Sequence, residues 1–257
     1  MGGTARLELI ALPGVPSIKS GDDLARVTVD ALLRADLALR AGDVLVYAQK
    51  VISKSENRVV DLTTVTPGPR ALELASQVSK DPRLVELVLR ESRRIVRTAK
   101  DVLIVEHALG FIMANAGIDQ SNVAGPSQGE FALLLPENPD ASAERLRATL
   151  SAHAGCALGV VINDSFGRPW RVGTVGVAIG CAGIAATQDL RGSTDMFGRT
   201  LRVTIVGHAD EIASAASLIM GQASEARPIV LLRGLPVEHA PHAASALLRP
   251  TGEDLFR

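Results

Sequence analysis

The sequence predicts a mixed α/β protein in which short buried strands alternate with amphipathic helices. Three observations predict it. Apolar runs recur along the chain, at 7–12, 43–48, 102–106, 158–162 and 229–233, and each stops at turn or polar residues. Between them lie segments with apolar residues at helical spacing, such as Leu24, Val27, Ala31 and Leu32. The 257-residue chain is 47% hydrophobic and 21% charged, which gives enough apolar surface for one large domain or two modest ones. Aromatic residues are only 3%, so the core must be built from Ala, Val, Leu and Ile.

The elements follow in order. Residues 7–12 form a strand that runs into Pro13-Gly14-Val15-Pro16, a tight loop with exposed backbone N–H groups. Such a loop can approach a ligand or simply end a strand. Ser20-Gly21-Asp22-Asp23 caps a helix expected to reach about Arg40. The strand 43–48 leads into Gln49-Lys50-Val51-Ile52-Ser53-Lys54-Ser55-Glu56, which reads as a phosphate-binding strand end or a solvated edge. A short helix covers 70–78. Asp81-Pro82 starts the next helix, with Asp as N-cap and Pro at the first position. Its stripe is Leu84, Leu87, Val88, Glu91 and Ile95, beside a Glu86/Arg90 pair.

Strands follow at 102–106, 111–114 and 131–135, then a helix from Asp140 to about His153 and a strand at 158–162. Residues 173–183 are glycine-rich with Val175, Val177 and Ile179 alternating, a strand whose other face is held close to something. A strand at 201–207, a small-residue helix at 210–221 and a last strand at 229–233 complete the pattern. Residues 235–257 read as a tail or linker.

Composition excludes several classes. Lys and Arg total 27 against 28 Asp and Glu, and no basic stripe carries interleaved aromatics, so nucleic acid is not an expected partner. Cys156 and Cys181 stand apart without a Cys-x-x-Cys pair, which argues for reduced thiols and against structural zinc. The histidines show no metal spacing. The first residues lack an apolar signal segment, and no run is long enough to cross a bilayer. The expectation is a soluble cytoplasmic protein without a membrane partner. Neither G-x-G-x-x-G nor a P-loop occurs.

Chemistry concentrates in two stretches. Asn163-Asp164-Ser165-Phe166-Gly167-Arg168-Pro169-Trp170-Arg171 follows a buried run, and strand ends commonly present reactive groups. Asp164 and Ser165 offer oxygen to a hard cation, while Arg168 and Arg171 offer planar donors to an anion. A β-turn with charged flanks fits the same residues. Asn115-Ala116-Gly117-Ile118-Asp119-Gln120-Ser121-Asn122 is a helix cap or turn, or a second oxygen cluster that meets Asp164. Together they suggest a divalent-metal nucleotide site without a P-loop, suited to phosphoryl transfer, ligation or hydrolysis.

These stretches resemble the coenzyme F420-0:γ-glutamyl ligase family, including the N-terminal ligase half of its two-domain form. The resemblance rests on Leu12-Pro13-Gly14-Val15-Pro16, Gly42-Asp43-Val44-Leu45-Val46, Val51-Ile52-Ser53-Lys54 and Lys80-Asp81-Pro82-Arg83-Leu84-Val85. It continues through Ala114-Asn115-Ala116-Gly117-Ile118-Asp119 and on to Asn122, then Asn163 to Arg171, Asp189-Leu190-Arg191-Gly192 and Phe197-Gly198-Arg199. It implies an α+β fold of two interleaved mixed α/β lobes in an intertwined homodimer. It implies a ligase domain over 1–234, and a tail over 235–257 like the connector of the two-domain form, so that the chain is a stand-alone ligase or a domain cut there.

The activity implied is GTP-dependent joining of L-glutamate to coenzyme F420-0 through an acyl phosphate, with two Mg²⁺ or Mn²⁺ ions and a potassium ion as cofactors. Asp119 and Asp164 become the metal carboxylates, and Ser165 a ligand of the second metal. Leu12, Pro13, Gly14, Val15, Lys54 and Asn122 become nucleotide contacts. Gln49 stands where relatives often carry Ser or Thr. In Met220-Gly221-Gln222-Ala223, Gln222 falls to the second metal and its neighbours to the nucleotide. Spacing alone, rather than the family, motivates Arg168 and Arg171 as holders of the substrate's anionic groups. The alternatives are a metal-dependent phosphohydrolase and a non-catalytic F420- or nucleotide-binding module.

Overall fold

Twelve strands and six α-helices arise from this pattern in the computed structural model, which describes residues 5–121, 123, 130–235 and 243–254. The first half contains β1 (Glu8–Ala11), α1 (Leu24–Arg34), β2 (Val44–Ala48), α2 (Gln49–Ser55), β3 (Val59–Asp61), α3 (Pro69–Val78) and α4 (Pro82–Arg90). Then come β4 (Ser92–Ala99), β5 (Val102–His107), β6 (Ile112–Ala114), β7 (Phe131–Leu133) and α5 (Pro139–Ala154). The chain continues with β8 (Gly159–Arg168), β9 (Arg171–Ala182), β10 (Gln188–Asp189), β11 (Ile205–Val206), α6 (His208–Met220) and β12 (Ile229–Arg233).

The main sheet has the order β1-β12-β2-β8-β9, and only the β2–β8 pair is parallel. Helices cover both faces, which is why β2, residues 159–162 of β8 and residues 229–232 of β12 are continuous apolar runs. On one face, α1 and α5 pack Leu24, Leu32, Leu146 and Leu150 against Leu45, Val160 and Leu231. On the other, α6 packs Ala209, Ile212, Ala213 and Ala216 against Val46, Val161 and Val230. Two glycines of β9 permit this closeness. A Cβ on Gly180 would come within 2.5 Å of the Pro139 carbonyl carbon, and one on Gly176 within 2.5 Å of the Ala213 carbonyl oxygen. A register shift opposite Ile162 and Asn163 separates the two glycines, so one meets α5 and the other α6.

A second cluster is built on the sheet β4-β5-β6. There α3 and α4 bury Leu74, Val78, Val85 and Val88 against Leu103 and Val105. The mixed α+β class is therefore as expected. Residues 243–254 pack back on the fold: Ala244 is buried, and its N–H donates to Asp140 Oδ1 at 2.8 Å.

Several boundaries differ from the sequence reading. The helix expected to reach Arg40 stops at Arg34, where Asp36 turns to φ 52° and the chain loops toward β2. The helix opened by Asp81 ends at Arg90, not beyond Ile95; residues 92–99 form β4 instead. There the β-branched Ile95 and Val96 find a partner strand in β5, which outweighs their helical spacing. The strand expected over 201–207 shrinks to Ile205–Val206. Residues 49–55, expected as a strand end, are helical. The strand at 158–162 continues to Arg168, so Asn163 to Arg168 are strand and the turn is only Pro169-Trp170.

The seam between β12 and β2 is locked by one ion pair. Arg233 donates to both oxygens of Asp43, at 2.8 and 2.7 Å, and to Ala38 O at 2.8 Å. Asp43 also accepts from Arg40 N and is 1% exposed. Removing one partner leaves a buried, uncompensated charge. Arg233→Met should therefore cost about 3–5 kcal/mol in urea unfolding, and a loss below about 1 kcal/mol would contradict this role.

Candidate functional site

The site begins with strand pairing. In the β2–β8 register Ala48 lies opposite Asn163, so α2, which starts at Gln49, opens beside Asp164. Side chains alternate along β8. Ile162 and Phe166 pack toward α1 and α5, which places Asp164 on that side. Asn163 and Ser165 fall on the α6 side. Asn163 Nδ2 donates to Ser217 Oγ at 3.1 Å and to Met220 Sδ at 3.4 Å. Ser165 Oγ lies 2.8 Å from Gln222 Oε1, just past the end of α6. A single strand edge thus carries groups to both faces of the sheet.

Asp119 arrives from the segment between β6 and β7. Its backbone bridges Leu133, with N–H···O distances of 3.1 and 2.8 Å. The adjacent Leu134 O accepts from Gln49 Nε2 at 3.3 Å, and the same amide donates to Ser53 Oγ at 2.6 Å. Gln49 therefore ties the start of α2 to the segment that holds Asp119. Lys50, next in the helix, places Nζ 2.6 Å from Asp119 Oδ2. Lys50 Nζ also donates to Ser121 Oγ at 2.7 Å and to Ser121 O at 3.2 Å. Ser121 N donates to Asp119 Oδ1 at 2.7 Å.

The two carboxylates titrate in opposite directions. Burial pushes Asp119 upward, but hydrogen bonds from Lys50 and Ser121 outweigh it and hold the group below its usual value. Burial dominates at Asp164 and pushes it up to about 6. The Ser165 N–H opposes the rise, the Asp119 charge adds to it, and Lys50 opposes it weakly. Lys54 is lowered, first by burial and then by Lys50 one turn earlier. Perturbed groups in one cleft mark it as a candidate functional site.

These groups meet in a cavity of about 840 Å³ whose lining includes Val15, Lys50, Lys54, Asp119, Asp164 and Gln222. Ser165, Gln49, Met220, Gly221 and Ala223 also line it. Other expected residues lie elsewhere. Leu12 is buried in the core, and Pro13 and Gly14 are exposed beside the cavity's loop. Gly14, at φ 66°, is held through its carbonyl by Arg34 Nη2 at 3.0 Å. Asn122 falls outside the described residues. Arg168 is not in the lining; at the hairpin end it donates to Gly173 O at 3.2 Å, beside the exposed Arg171 and Trp170. The sequence offers Lys50 only within a phosphate-binding strand end or solvated edge, and gives Asn163 no role of its own. The signal for Lys50 was the four-residue spacing of Lys50 with Lys54 and of Gln49 with Ser53, which places each pair on one helix face.

A hard divalent cation fits the donor chemistry. No cluster of three or more His, Cys, Asp or Glu occurs among the described residues, so the set is two carboxylates, a hydroxyl and an amide oxygen. Oxygen-only donors suit Mg²⁺ or Mn²⁺, which retain water and bind through few carboxylates. Ser165 Oγ donates to Gln222 Oε1 at 2.8 Å, which holds the hydroxyl and the amide oxygen side by side. No helix among the described residues is long and apolar enough to cross a membrane.

The F420-0:Gamma-glutamyl ligase family matches residues 14–234. A coenzyme F420:L-glutamate ligase of Methanothermobacter thermautotrophicus is 43% identical over 253 residues, covering 98% of this chain and 99% of that one. The protein of the same name from Methanopyrus kandleri is 43% identical over 261 residues and covers both chains fully, 100% of each. That of Methanocaldococcus jannaschii is 40% identical over 252 residues, 98% of this chain and 97% of its own.

Asp164 supplies a test independent of activity. Its pKa rises from 3.8 to about 6, so the folded state binds the proton more tightly than the unfolded chain. Stability from that proton is present below about pH 4 and is lost as pH rises to 6. Asp164→Asn is neutral throughout, so it should raise the Tm of chelator-treated protein at pH 7, by up to about 3 kcal/mol in stability. The gain should shrink at pH 4. Identical melting of variant and wild type at pH 7 would contradict the electrostatic assignment.

Proposed function

Because the chain belongs to the F420-0:Gamma-glutamyl ligase family, we propose that it joins L-glutamate to coenzyme F420-0 in a GTP-dependent reaction, and extends the product by γ-glutamyl links. The observation that carries this reading is the convergence of Asp119, Asp164, Ser165 and Gln222 with Lys50 and Lys54 in one cavity. Its ~840 Å³ suits a nucleotide and the reacting end of a second substrate.

The chemistry explains the layout. A carboxylate is a poor electrophile until one oxygen becomes a leaving group. In the proposed path an oxygen of the F420-0 carboxylate takes the γ-phosphoryl group, and GDP departs. The glutamate amine then attacks the acyl carbon, an amide bond forms, and phosphate leaves with that oxygen. Lys54 and the loop at Val15 hold the nucleotide. Asp119, Asp164, Ser165 and Gln222 hold Mg²⁺ or Mn²⁺, which when bound supplies positive charge to the phosphates. Asn163, fixed by Ser217 and Met220, keeps the β8 edge in place.

The enzyme is proposed to act as an intertwined homodimer. Trp170 and Val172 on the β8–β9 hairpin are 87% and 102% exposed, and Met196, Phe197 and Val203 on the arm after β10 are 95%, 93% and 86% exposed. Exposed large apolar side chains on these two segments are proposed as protein-binding surface. Trp170 also takes φ 66°, an outlier for a bulky residue, at the hairpin's tip. Arg168 and Arg171 flank that tip, so any hold they have on the substrate's anionic groups is proposed to act across the dimer.

Two measurements follow. Incubation with GTP, Mn²⁺, F420-0 and glutamate should give GDP in step with a glutamylated product seen by mass spectrometry, and Asp164→Asn should lower the rate at least 100-fold. GDP release that needs neither F420-0 nor glutamate would replace this reading with phosphohydrolysis. Light scattering should give twice the mass of one chain, and Trp170→Glu with Phe197→Glu should shift it toward one. A wild-type monomer at micromolar concentration would remove the dimer.

A further inference from the structure

Just before Asp119 the backbone turns with a left hand. Asn115, Ala116 and Gly117 have φ of 52°, 53° and 66°, three left-handed residues in a row. Residues with a side chain visit this region singly, because Cβ crowds the backbone there. Glycine enters it freely, and asparagine more readily than most. Such conformations persist where the surroundings over-determine them, and they gather at functional sites.

The surroundings here are three hydrophobic clusters. Met113 and Leu135 are buried in the cluster on the α1 and α5 side of the main sheet. Ala116, 1% exposed, is buried with Leu74, Val85, Leu103 and Val105. Ile118 packs against that second cluster and against a third, which holds Leu62, Leu87, Ala132 and Leu134. Gly117 passes where space is smallest: a Cβ there would lie 2.8 Å from Met113 Cε and 3.0 Å from Leu135 Cδ2. The Ile118 N–H closes the turn on Asn115 O at 3.0 Å. Asn115 Oδ1 is buried without a hydrogen-bond partner among the described residues. That oxygen does not explain an asparagine here, whereas the left-handed backbone does.

The turn is also where the chain changes partners. Before it, β6 pairs with β5; after it, Asp119 exchanges both backbone hydrogen bonds with Leu133 of β7. The sheets β4-β5-β6 and β3-β7 share no strand, and residues 115–118 join them. Asp119 is the first residue past this joint.

We propose that the left-handed turn is the positioning element for Asp119: it aims the carboxylate into the cation site of the cavity, with Asn115 and Gly117 as positioning residues. The inference rests on the metal-dependent reading above and deepens it, by naming what presents one of the carboxylates. Neither residue touches the cation. Each acts through the backbone that carries Asp119, which the three clusters hold in place before a cation arrives.

The test compares three variants. Asn115→Gly leaves the left-handed region open, Asn115→Val disfavours it through its β-branch, and Gly117→Ala sets a methyl against Met113. Thermal melts establish which are folded, and Gly117→Ala serves if Asn115→Val is not. Electron paramagnetic resonance gives the Mn²⁺ affinity at saturating GDP, corrected for Mn²⁺ held by GDP alone. Amide hydrogen exchange at Asp119 and Leu133 reads the bridge without metal. Asn115→Gly should match wild type within about twofold in both. Asn115→Val and Gly117→Ala should weaken Mn²⁺ binding about tenfold or more and speed exchange at Asp119 and Leu133, with β2 and β12 unchanged. Faster exchange with wild-type Mn²⁺ affinity would overturn the proposal, since the turn would then be structural only. Equal losses in Asn115→Gly and Asn115→Val would also overturn it, because the hand of the backbone would not be what matters. Either result leaves the metal-dependent reading intact. A wild type that binds no Mn²⁺ would overturn that reading and the proposal with it.

Discussion

The parallel pairing of β2 with β8 is the constraint on which the rest depends. It is the one parallel ladder of the main sheet. A parallel pair brings two strands' C-terminal ends to the same edge, where open α/β sheets commonly bind ligands. Here that edge receives α2 with Gln49, Lys50 and Lys54 from β2, and Asp164 and Ser165 from β8. A slip of one residue would turn Asp164 toward α6 and Ser165 away from Gln222. The full burial of Val44, Leu45, Val46 and Tyr47 on one strand, and of Val160, Val161 and Ile162 on the other, fixes the register against such a slip.

The site is also an electrostatic compromise. Asp119 and Asp164 share one cleft, yet one is held charged by Lys50 and Ser121 while the other is pushed toward its neutral form by burial. Two carboxylates so placed repel each other, and the metal-free fold carries that cost. The cation proposed for this site would relieve that repulsion. The same logic accounts for the lowered Lys54, which sits near Lys50 and partly away from water. Stability in this region is subordinate to charge placement, whereas at Asp43 and Arg233 the charges are matched and satisfied.

How far the sequence reveals this depends on the kind of signal. The strand at 229–233 is legible to the residue because it is apolar from Ile229 to Leu232 and bounded by Pro228 and Gly234. The start of α4 is legible because Asp81 caps it and Pro82 occupies its first turn. Its end is not, because Ile95 keeps the helical spacing and only the pairing with β5 shows it to be a strand residue. Helix α2 is hidden by its brevity and by its lysines and serines, which read equally as a polar edge. Asn163 to Arg168 look like a turn because polar residues and a glycine follow a buried run, yet the partner strand β9 carries the ladder past them. The site is legible through resemblance more than through spacing: nothing in the intervals between Asp119, Asp164 and Gln222 says that they share a cavity. Lys50 was in view, but only the bridge of Asp119 to Leu133 aims it at Asp119.

The central claim is that the edge of β8 is a cation-binding edge that serves the cavity. Anomalous diffraction at the manganese edge, from crystals grown with Mn²⁺ and GDP, tests it most directly. The account predicts an anomalous peak within bonding distance of Asp164, with Asp119, Ser165 Oγ and Gln222 Oε1 turned toward bound manganese. Manganese found elsewhere, with Asp164 lacking a metal contact while GDP occupies the cavity, would contradict it.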